Sequence, residues 1–495
     1  MTNEKIIIRI INENIVLIIS KDEKIHNHFY KRFGLYTKSY MFSKLYKLGR
    51  WDGKINFYSA NGKTYLNLLP EILEYIIENK LNYIISDERE KFTFKQFKIE
   101  KTFLPNIVLA QHQIDACNSI INANGGIILA ATGSGKTYIT AALSKYYNEH
   151  YNFRVIMIVP TKDLIEQSYK RFIKAGLEKD KIGVFYADKK EINAEILIST
   201  WQSLQHFPEL VGQFKAIIVD ECHGTTGAVL KDLIVKGGSL SPIKIGVTGT
   251  LPTDEVEKMS VKVSLGDVKY NIEPVDLIEM GWLAKLKINF LILKENFKPQ
   301  YESFLKTCAP TVKKLTYNQF LLKLFPDYFV EKKYLMDNQE RLKYVSETIE
   351  QVMKLEKLNN SLVLVNNIST GKELEKNIPN SIFVKRDKDL MERKKIYESF
   401  DKNDGVCVIA TYKLISTGLD VPRIFNLFLL DMGESFIKVI QSIGRGLRTG
   451  DDKTYLKVFD ITSNLKYSKS HMSSRKKYYN LKKYPYREVE IDYKE

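Results

Sequence analysis

The sequence predicts an α/β chain: two tandem parallel-sheet domains preceded by a small N-terminal α/β domain. Three observations lead there. Between about 105 and 290, short continuous apolar runs alternate with helix-forming stretches, and strands that are apolar on both faces belong to parallel sheets covered by helices. The same alternation resumes over 336–462. The first hundred residues instead carry short β-rich runs joined by polar turns. A length of 495 residues, 44% of them hydrophobic, suits about three globular domains with sizeable cores.

The elements follow in order. Ile6–Ile10 and Ile15–Ile19 read as strands around the turn Asn12-Glu13-Asn14. Residues 22–33 have helical spacing. Residues 54–57 and 64–68 flank Asn61-Gly62, a hairpin signal. Pro70 opens a helix over 71–80, and 83–86 reads as a strand. This domain, 1–100, is locally basic: Lys31, Arg32, Lys38, Lys44, Lys47, Arg50 and Lys54 outnumber Asp22, Glu23 and Asp52, with Tyr36, Tyr40, Tyr46 and Trp51 between them. Basic groups neutralise phosphates and rings stack on bases. Arg50, Trp51 and Lys54 are therefore candidate nucleic-acid contacts, set against the plainer reading of a solvated basic face over an aromatic core.

The first parallel-sheet domain, 105–290, has strand runs at 126–129, 154–159, 195–199, 216–219 and 244–248. Lys-rich helices are expected over 291–335, as a linker or insertion. The second domain, 336–462, has runs at 361–365, 382–384, 405–410, 426–430 and 456–459. Residues 463–495 form a basic, tyrosine-rich tail. The repeated alternation raises the question whether the two domains are related copies.

The chemistry centres on Ala130-Ala131-Thr132-Gly133-Ser134-Gly135-Lys136-Thr137, between an apolar run and a helix-forming run. A glycine-bearing loop between strand and helix turns backbone N–H groups inward, and the helix start adds positive potential, so a polyphosphate fits. Gly133, Ser134 and Gly135 would cradle it, Lys136 would reach the outer phosphates, and the Thr137 hydroxyl would hold Mg²⁺. Ala130 stands where the strict pattern has glycine. Asp220-Glu221-Cys222-His223 follows the apolar run 217–219. Asp220 is the candidate second Mg²⁺ ligand and Glu221 the general base for an attacking water. Gln113, upstream of the loop, has an amide that can read an adenine edge. Thr248 and Thr250 end another strand, where their hydroxyls can bond to Asp220 or Glu221. Thr161, Thr200 and Thr411 follow strands too, at turns suited to phosphate oxygens.

This ordered series resembles the motifs of the superfamily 2 helicases, over about 105–480. Gln113 matches the Q motif, Ala130–Thr137 motif I, 159–167 motif Ia, Asp220–His223 a DECH-type motif II and Thr248–Thr250 motif III. Asn366 begins a motif IV region, 409–420 is similar to motif V and 441–448 to motif VI. The resemblance implies two RecA-like domains, ATP and Mg²⁺ as cofactors, Arg445 and Arg448 as arginine fingers, Gly418 and Asp420 linking nucleotide state to strand grip, and Gln441 in coupling. Arginine is suited to that task as a planar, permanently charged fork. Residues 274–284 resemble the group containing XPB, restriction-enzyme motor subunits and UvsW-like phage helicases. His471, Arg475 and Tyr478 fit that group's tail. Gly49-Arg50-Trp51-Asp52-Gly53-Lys54 and Leu68-Leu69-Pro70 resemble the UvsW-like branch. The branch implies ATP-dependent remodelling of single-stranded and branched duplex DNA, with 3′ to 5′ polarity, by a monomeric motor, and RNA in RNA:DNA hybrids as a further partner.

Bulk properties agree. The net charge is +16, from 75 Lys+Arg against 59 Asp+Glu, which suits a polyanionic partner. The four cysteines are far apart and form no CxxC pair, so a reducing compartment is expected. No run approaches the ~18 apolar residues of a membrane span, and the chain is expected in the cytoplasm, the host's if phage-encoded. Within the enzymes, the rivals are an RNA or RNA:DNA helicase and the motor subunit of a larger complex. A non-enzymatic nucleic-acid scaffold is opposed by the intact Lys136, Asp220, Glu221 and Arg448.

Overall fold

Alternation organises the N-terminal sheet. In Ile6–Ile10, Ile6, Ile8 and Ile10 are buried while Ile7 and Arg9 face out, as a strand with one covered face requires. It pairs antiparallel with Ile15–Ile19, Ile10 opposite Val16, and parallel with Tyr83–Asp87. Helix Glu23–Arg32, capped by Asp22, and helix Leu69–Glu78, with Pro70 in its first turn, bury Phe29, Ile72 and Ile76 against it. The Asn61-Gly62 turn forms and closes a short hairpin through the antiparallel bridge Tyr58–Thr64. Gly62 sits at φ +82°, and a Cβ there would lie 2.0 Å from the Ile18 carbonyl. Lys63–Tyr65 thus runs onto the free edge of Ile15–Ile19, while Lys54–Asn56 leaves to pair with Gly34–Tyr36.

The computed structural model describes residues 5–95, 97–187, 189–307, 315–355, 359–384, 403–415, 423–433 and 455–493. They fall into two compact units, 1–272 and 273–495. The expected accessory domain 1–100 lies within the first unit, for a visible reason. Its core is shared: Val256 and Val263 of helix Glu255–Leu265 pack among Phe29, Phe57, Tyr58 and Ile76. The Asn14 amide donates to the carbonyls of Val235 and Gly238, at 2.7 and 3.2 Å. The buried Lys244 ammonium donates to the carbonyls of Glu13 and Ser241, at 3.0 and 2.9 Å.

Each unit carries one large, almost wholly parallel sheet. Across the first, the order is Lys189–Lys190, Ile182–Tyr186, Ile196–Thr200, Val155–Val159, Ala216–Asp220, Ile243–Thr248, Gly126–Ala130, Val268–Ile272. Only the two-residue edge strand Lys189–Lys190 is antiparallel to its neighbour. The second runs Ser381–Val384, Cys407–Thr411, Ser361–Val365, Asn426–Leu430, Tyr455–Ser463, Lys285–Leu293, Tyr486–Ile491, all parallel. Set aside Lys189–Lys190 and number the strands of each sheet by chain order. Both then read third, fourth, second, fifth, sixth, first, seventh. Over the described residues, the two large sheets are topological copies.

The expected boundaries shift accordingly. The division falls after 272, not at 290, because Lys285–Leu293 pairs along Tyr455–Ser463 as the first strand of the second sheet. The tail is no appendage. Tyr486–Ile491 adds the last strand of that sheet, and helix Lys466–Leu481 packs on it through Tyr478 and Tyr479. Within 291–335, helices Lys298–Thr307, Tyr317–Leu324 and Tyr328–Asp337 form around a small core of Phe297, Phe325, Leu335 and Leu465.

Candidate nucleotide site

Strand Gly126–Ala130 ends in the glycine loop, and helix Lys136–Tyr151 leaves it. Gly133 and Gly135 sit at φ +91° and +83°, conformations that a Cβ disfavours. At Gly135 a Cβ would also come 2.1 Å from Nε2 of Gln113. Gln113 braces the loop: Nε2 donates to the Ser134 carbonyl at 3.0 Å, and Oε1 accepts from the Ala110 N–H at 3.0 Å. The adenine-reading role expected of Gln113 meets a side chain only 1% exposed and engaged at both ends. The His112 ring reaches the same Ser134 carbonyl at 2.8 Å. Ala130 is buried in the sheet and takes Lys136 Nζ on its carbonyl at 3.4 Å. The Ser134 hydroxyl, fully buried, has no partner among the described residues, a cost of about 1–3 kcal/mol that a bound acceptor would relieve.

Strand Ala216–Asp220 brings the carboxylates to the same sheet end. Glu221 takes φ +50°, a left-handed conformation costing roughly 1–2 kcal/mol for a residue with a Cβ. There its carboxylate lies 3.9 Å from Lys136 Nζ. Thr248 Oγ1 is 3.3 Å from Glu221 Oε2 and 2.9 Å from the Thr250 carbonyl, two acceptors for one proton. His223 Nδ1 lies 3.0 Å from that hydroxyl and 3.3 Å from Glu221. Thr248 thus meets the carboxylate as expected. Thr250 bonds to Thr248 through its backbone N–H and carbonyl. Burial, then the charge of Glu221, push the Asp220 carboxyl up to about 6, with Lys136 acting against them.

The Thr137 hydroxyl stands at the start of the helix, and Arg171 of helix Lys162–Lys174 donates to it at 3.1 Å. A hydroxyl and a carboxylate whose charge burial disfavours are oxygen donors of the kind a hard divalent cation takes. The residues present fit Mg²⁺. Arg171 carries no motif signal; only the packing of its helix on Lys136–Tyr151 brings it here.

The expected strand contacts fare unevenly. Thr161 precedes helix Lys162–Lys174, and its hydroxyl is buried without a partner among the described residues. Thr200 is 3% exposed, and its hydroxyl accepts from the Ser203 N–H at 3.3 Å. The structure makes it a helix cap, so the hydroxyl is not presented to a phosphate as expected. Thr411 ends strand Cys407–Thr411. Asn366 donates to the Asp431 carbonyl at 2.7 Å. Gly418, Asp420, Gln441, Arg445 and Arg448 lie outside the described residues.

In the N-terminal domain, Trp51 is half-buried and donates Nε1–H to the Lys54 carbonyl at 2.8 Å. Lys54 Nζ lies 4.6 Å from the Tyr36 ring centre, and Arg50 is exposed. Trp51 therefore straps its own lobe together. What the lobe shows outward was missed: Phe42 is 82% exposed, beside exposed Met41, Leu45 and Leu48. In sequence these resemble core residues, and only burial distinguishes them. A cavity of about 730 Å³ opens far from the glycine loop, at the opposite ends of the strands, with Glu13, Arg89, Lys244 and Lys269 in its wall.

Known proteins resemble the chain in sequence and in fold. Residues 106–253 match the family model described as type III restriction enzyme, res subunit, and 341–450 match the helicase conserved C-terminal domain. The chain is 26% identical to the ATP-dependent DNA helicase uvsW of Enterobacteria phage T4, over 91% of this chain and 89% of that one. It is 24% identical to the DNA 3′-5′ translocase XPB2 of Sulfurisphaera tokodaii, over 85% of this chain and 94% of that one. Among solved structures, an HsdR subunit fragment of a type I restriction enzyme from Vibrio vulnificus superposes with a TM-score of 0.56 at 18% identity, over 81% of this chain and 72% of that one. Dbp5 of S. cerevisiae gives 0.53 at 15% identity, over 78% and 90%. Both share the fold of tandem RecA-like domains.

Proposed function

We propose, from the premise that this chain belongs to the superfamily 2 helicases and is UvsW-like within them, that it is a motor driven by ATP hydrolysis that remodels branched DNA. The observation that carries the motor reading is the convergence of Lys136, Asp220, Glu221 and Thr248 at one sheet end around a glycine loop. Lys136 and the loop N–H groups would hold the outer phosphates. Thr137 and Asp220 would hold Mg²⁺, which supplies positive charge to the transferred phosphoryl group. Glu221 would orient and deprotonate the attacking water, with Thr248 and His223 steadying its carboxylate. Thr248, with two acceptors for one proton, is suited to sense whether Glu221 is engaged. Arg445 and Arg448 are proposed as the fingers that complete the site, and Gly418, Asp420 and Gln441 as their coupling to the strand. Gln113 would reach adenine only with the amide N–H that its contacts to the loop leave over.

The DNA reading rests on charge and on the N-terminal lobe. Lys38, Lys44, Lys47, Arg50 and Lys54 are interleaved in sequence with Tyr36, Tyr40 and Tyr46, whose successive ring centres are 4.7 and 4.8 Å apart, and Lys54 Nζ lies over the Tyr36 ring. Exposed Phe42 and Met41 lie in the same lobe. Phosphate-neutralising cations around exposed apolar side chains suit a junction where paired strands part. Thr161 and Thr411 are proposed to touch backbone phosphates. Fork regression, Holliday-junction migration and D-loop or R-loop unwinding, 3′ to 5′ movement, a monomeric motor and a cytoplasmic setting belong to this proposal. A substrate panel of fork, Holliday junction, R-loop and duplex RNA, each with ATP, tests it. Branched DNA should stimulate turnover and be unwound; stimulation by RNA alone would overturn the DNA assignment.

A further inference from the structure

Among the described residues, Arg171 is a cation at the candidate metal position that the motif series does not account for. It lies in the last turn of helix Lys162–Lys174, well past the stretch that resembles motif Ia. Its guanidinium is largely removed from water and feels the charge of Asp220. Nη1 donates to the Thr137 hydroxyl at 3.1 Å. Around the hydroxyl, Thr140 Oγ1 donates to the Thr137 carbonyl at 2.9 Å, fixing the backbone of this first helical turn.

A hydroxyl oxygen offers two lone pairs and one proton. A guanidinium can only donate, so Arg171 occupies one lone pair. The second lone pair is left for a cation and the proton for a carboxylate. A threonine side chain otherwise has alternative staggered rotamers, and in a helix its hydroxyl can turn back to a carbonyl one turn earlier. The arginine selects among them. Its planar fork does so at a fixed angle, which a lysine ammonium does not.

Resting on the ATPase reading above, we infer that Arg171 is a positioning residue for the metal: it holds the Thr137 hydroxyl in the orientation that presents a lone pair to the nucleotide-bound Mg²⁺. If Arg171 acted only as a nearby positive charge, it would repel the metal, and removing it would make Mg²⁺ bind more tightly.

The test is Mg²⁺ titration of the binding of a fluorescent ATP analogue to the full chain carrying Glu221→Gln, so that hydrolysis does not intervene. Arg171→Met should raise the Mg²⁺ concentration at half-saturation by about 10–100-fold, the usual cost of losing a group that orients a metal ligand. Arg171→Lys should recover only part of that. In a Thr137→Val background, which has no hydroxyl to orient, Arg171→Met should add no further shift. An unchanged or lower Mg²⁺ midpoint in Arg171→Met, in a protein whose unfolding midpoint shows it folded, overturns the inference. So does an equal added shift in the Thr137→Val background. Failure of the unsubstituted Arg171 chain to bind the analogue in a Mg²⁺-dependent way would instead overturn the nucleotide-site reading itself.

Discussion

The two parallel sheets have one strand order and opposite contents at one place. Register makes the comparison residue by residue. Asp220 lies opposite Val247 in the first sheet, and Leu430 lies opposite Ile461 in the second. Leu430 therefore stands where Asp220 does, Asp431 where Glu221 does, and Thr462 where Thr248 does. Asp431 even repeats the left-handed backbone, φ +46° against +50° at Glu221. In the first sheet this acid faces a lysine at 3.9 Å across a site lined by a glycine loop. In the second, Arg341 fills the place. Fully buried, it forks onto Asp431 with two bonds of 2.7 Å and lies 3.4 Å from Glu295, which follows the first strand where the other sheet has its glycine loop. The Glu295 carboxylate also accepts from Tyr334 and Tyr493, at 2.8 and 2.7 Å. The strained acid belongs to the shared topology. Whether it does chemistry depends on whether protein or ligand supplies the facing charge.

The largest effect should come from emptying the first site. Lys136→Ala or Glu221→Gln is expected to lower ATP turnover by about 10³-fold or more, since each removes a charge or a base proposed to act in the transition state. Asp431→Asn, at the matching position, should leave nucleotide binding at one molecule per chain, read by equilibrium titration with a fluorescent analogue. Loss of one of two bound nucleotides in Asp431→Asn would show the second sheet to be a working site and break the comparison.

Next in size is the plug. Arg341→Ala leaves Asp431 and Glu295 buried without their cation, and breaking a buried pair in this way costs about 3–5 kcal/mol. A lower denaturant midpoint for the second unit's transition is expected, with nucleotide affinity at the first site unchanged. Arg341→Met should cost less, because an apolar side chain of similar length fills the space. Equal stability of Arg341→Ala and the parent chain would mean that the carboxylates there are neutral, and the plug would not be ionic.

These contrasts also mark what could be read from sequence. The convergence of the glycine loop, Glu221 and Thr248 was legible because the proposed chemistry restricts both residue type and spacing. The runs that became Gly126–Ala130, Val155–Val159 and Ser361–Val365 were legible because strands buried on both faces are continuously apolar. Tyr486–Ile491 reads as tail because its exposed, charged sequence is that of an edge strand. Lys285–Leu293 opens with Lys285 and Lys287, which mask its apolar second half. Arg341 and Arg171 were illegible for another reason. An arginine in a helix is ordinary in any sequence, and only the fold shows one of them buried on two carboxylates and the other on a threonine hydroxyl. The docking of the N-terminal domain was hidden likewise. Asn14 reads as a turn residue, yet it serves carbonyls more than two hundred residues away. Removing 1–95 would uncover Val256 and Val263, so a truncated chain cannot report on DNA contacts alone.

The smallest expected effect sharpens the comparison at the other end of the same strands. Lys244 lies opposite Ile217, and by register its counterpart in the second sheet is Val458, a buried apolar residue opposite Leu427. Burial lowers the Lys244 ammonium from an ordinary 10.5 to about 7, only partly offset by Glu13. The unfolded chain keeps this proton up to about 10.5, while the folded chain releases it near 7. Between those values the unfolded state binds more protons, so stability rises with pH; below about 7 both states are charged and the contribution is flat. The first unit should therefore gain stability from neutral toward alkaline pH through this residue, and the second should have no such term at Val458. Lys244→Met isolates it. The difference in unfolding midpoint between parent and Lys244→Met should move in the parent's favour as pH rises from about 7 to about 9. A difference that stays constant over that range would mean Lys244 keeps its proton in the fold, held by the carbonyls of Glu13 and Ser241.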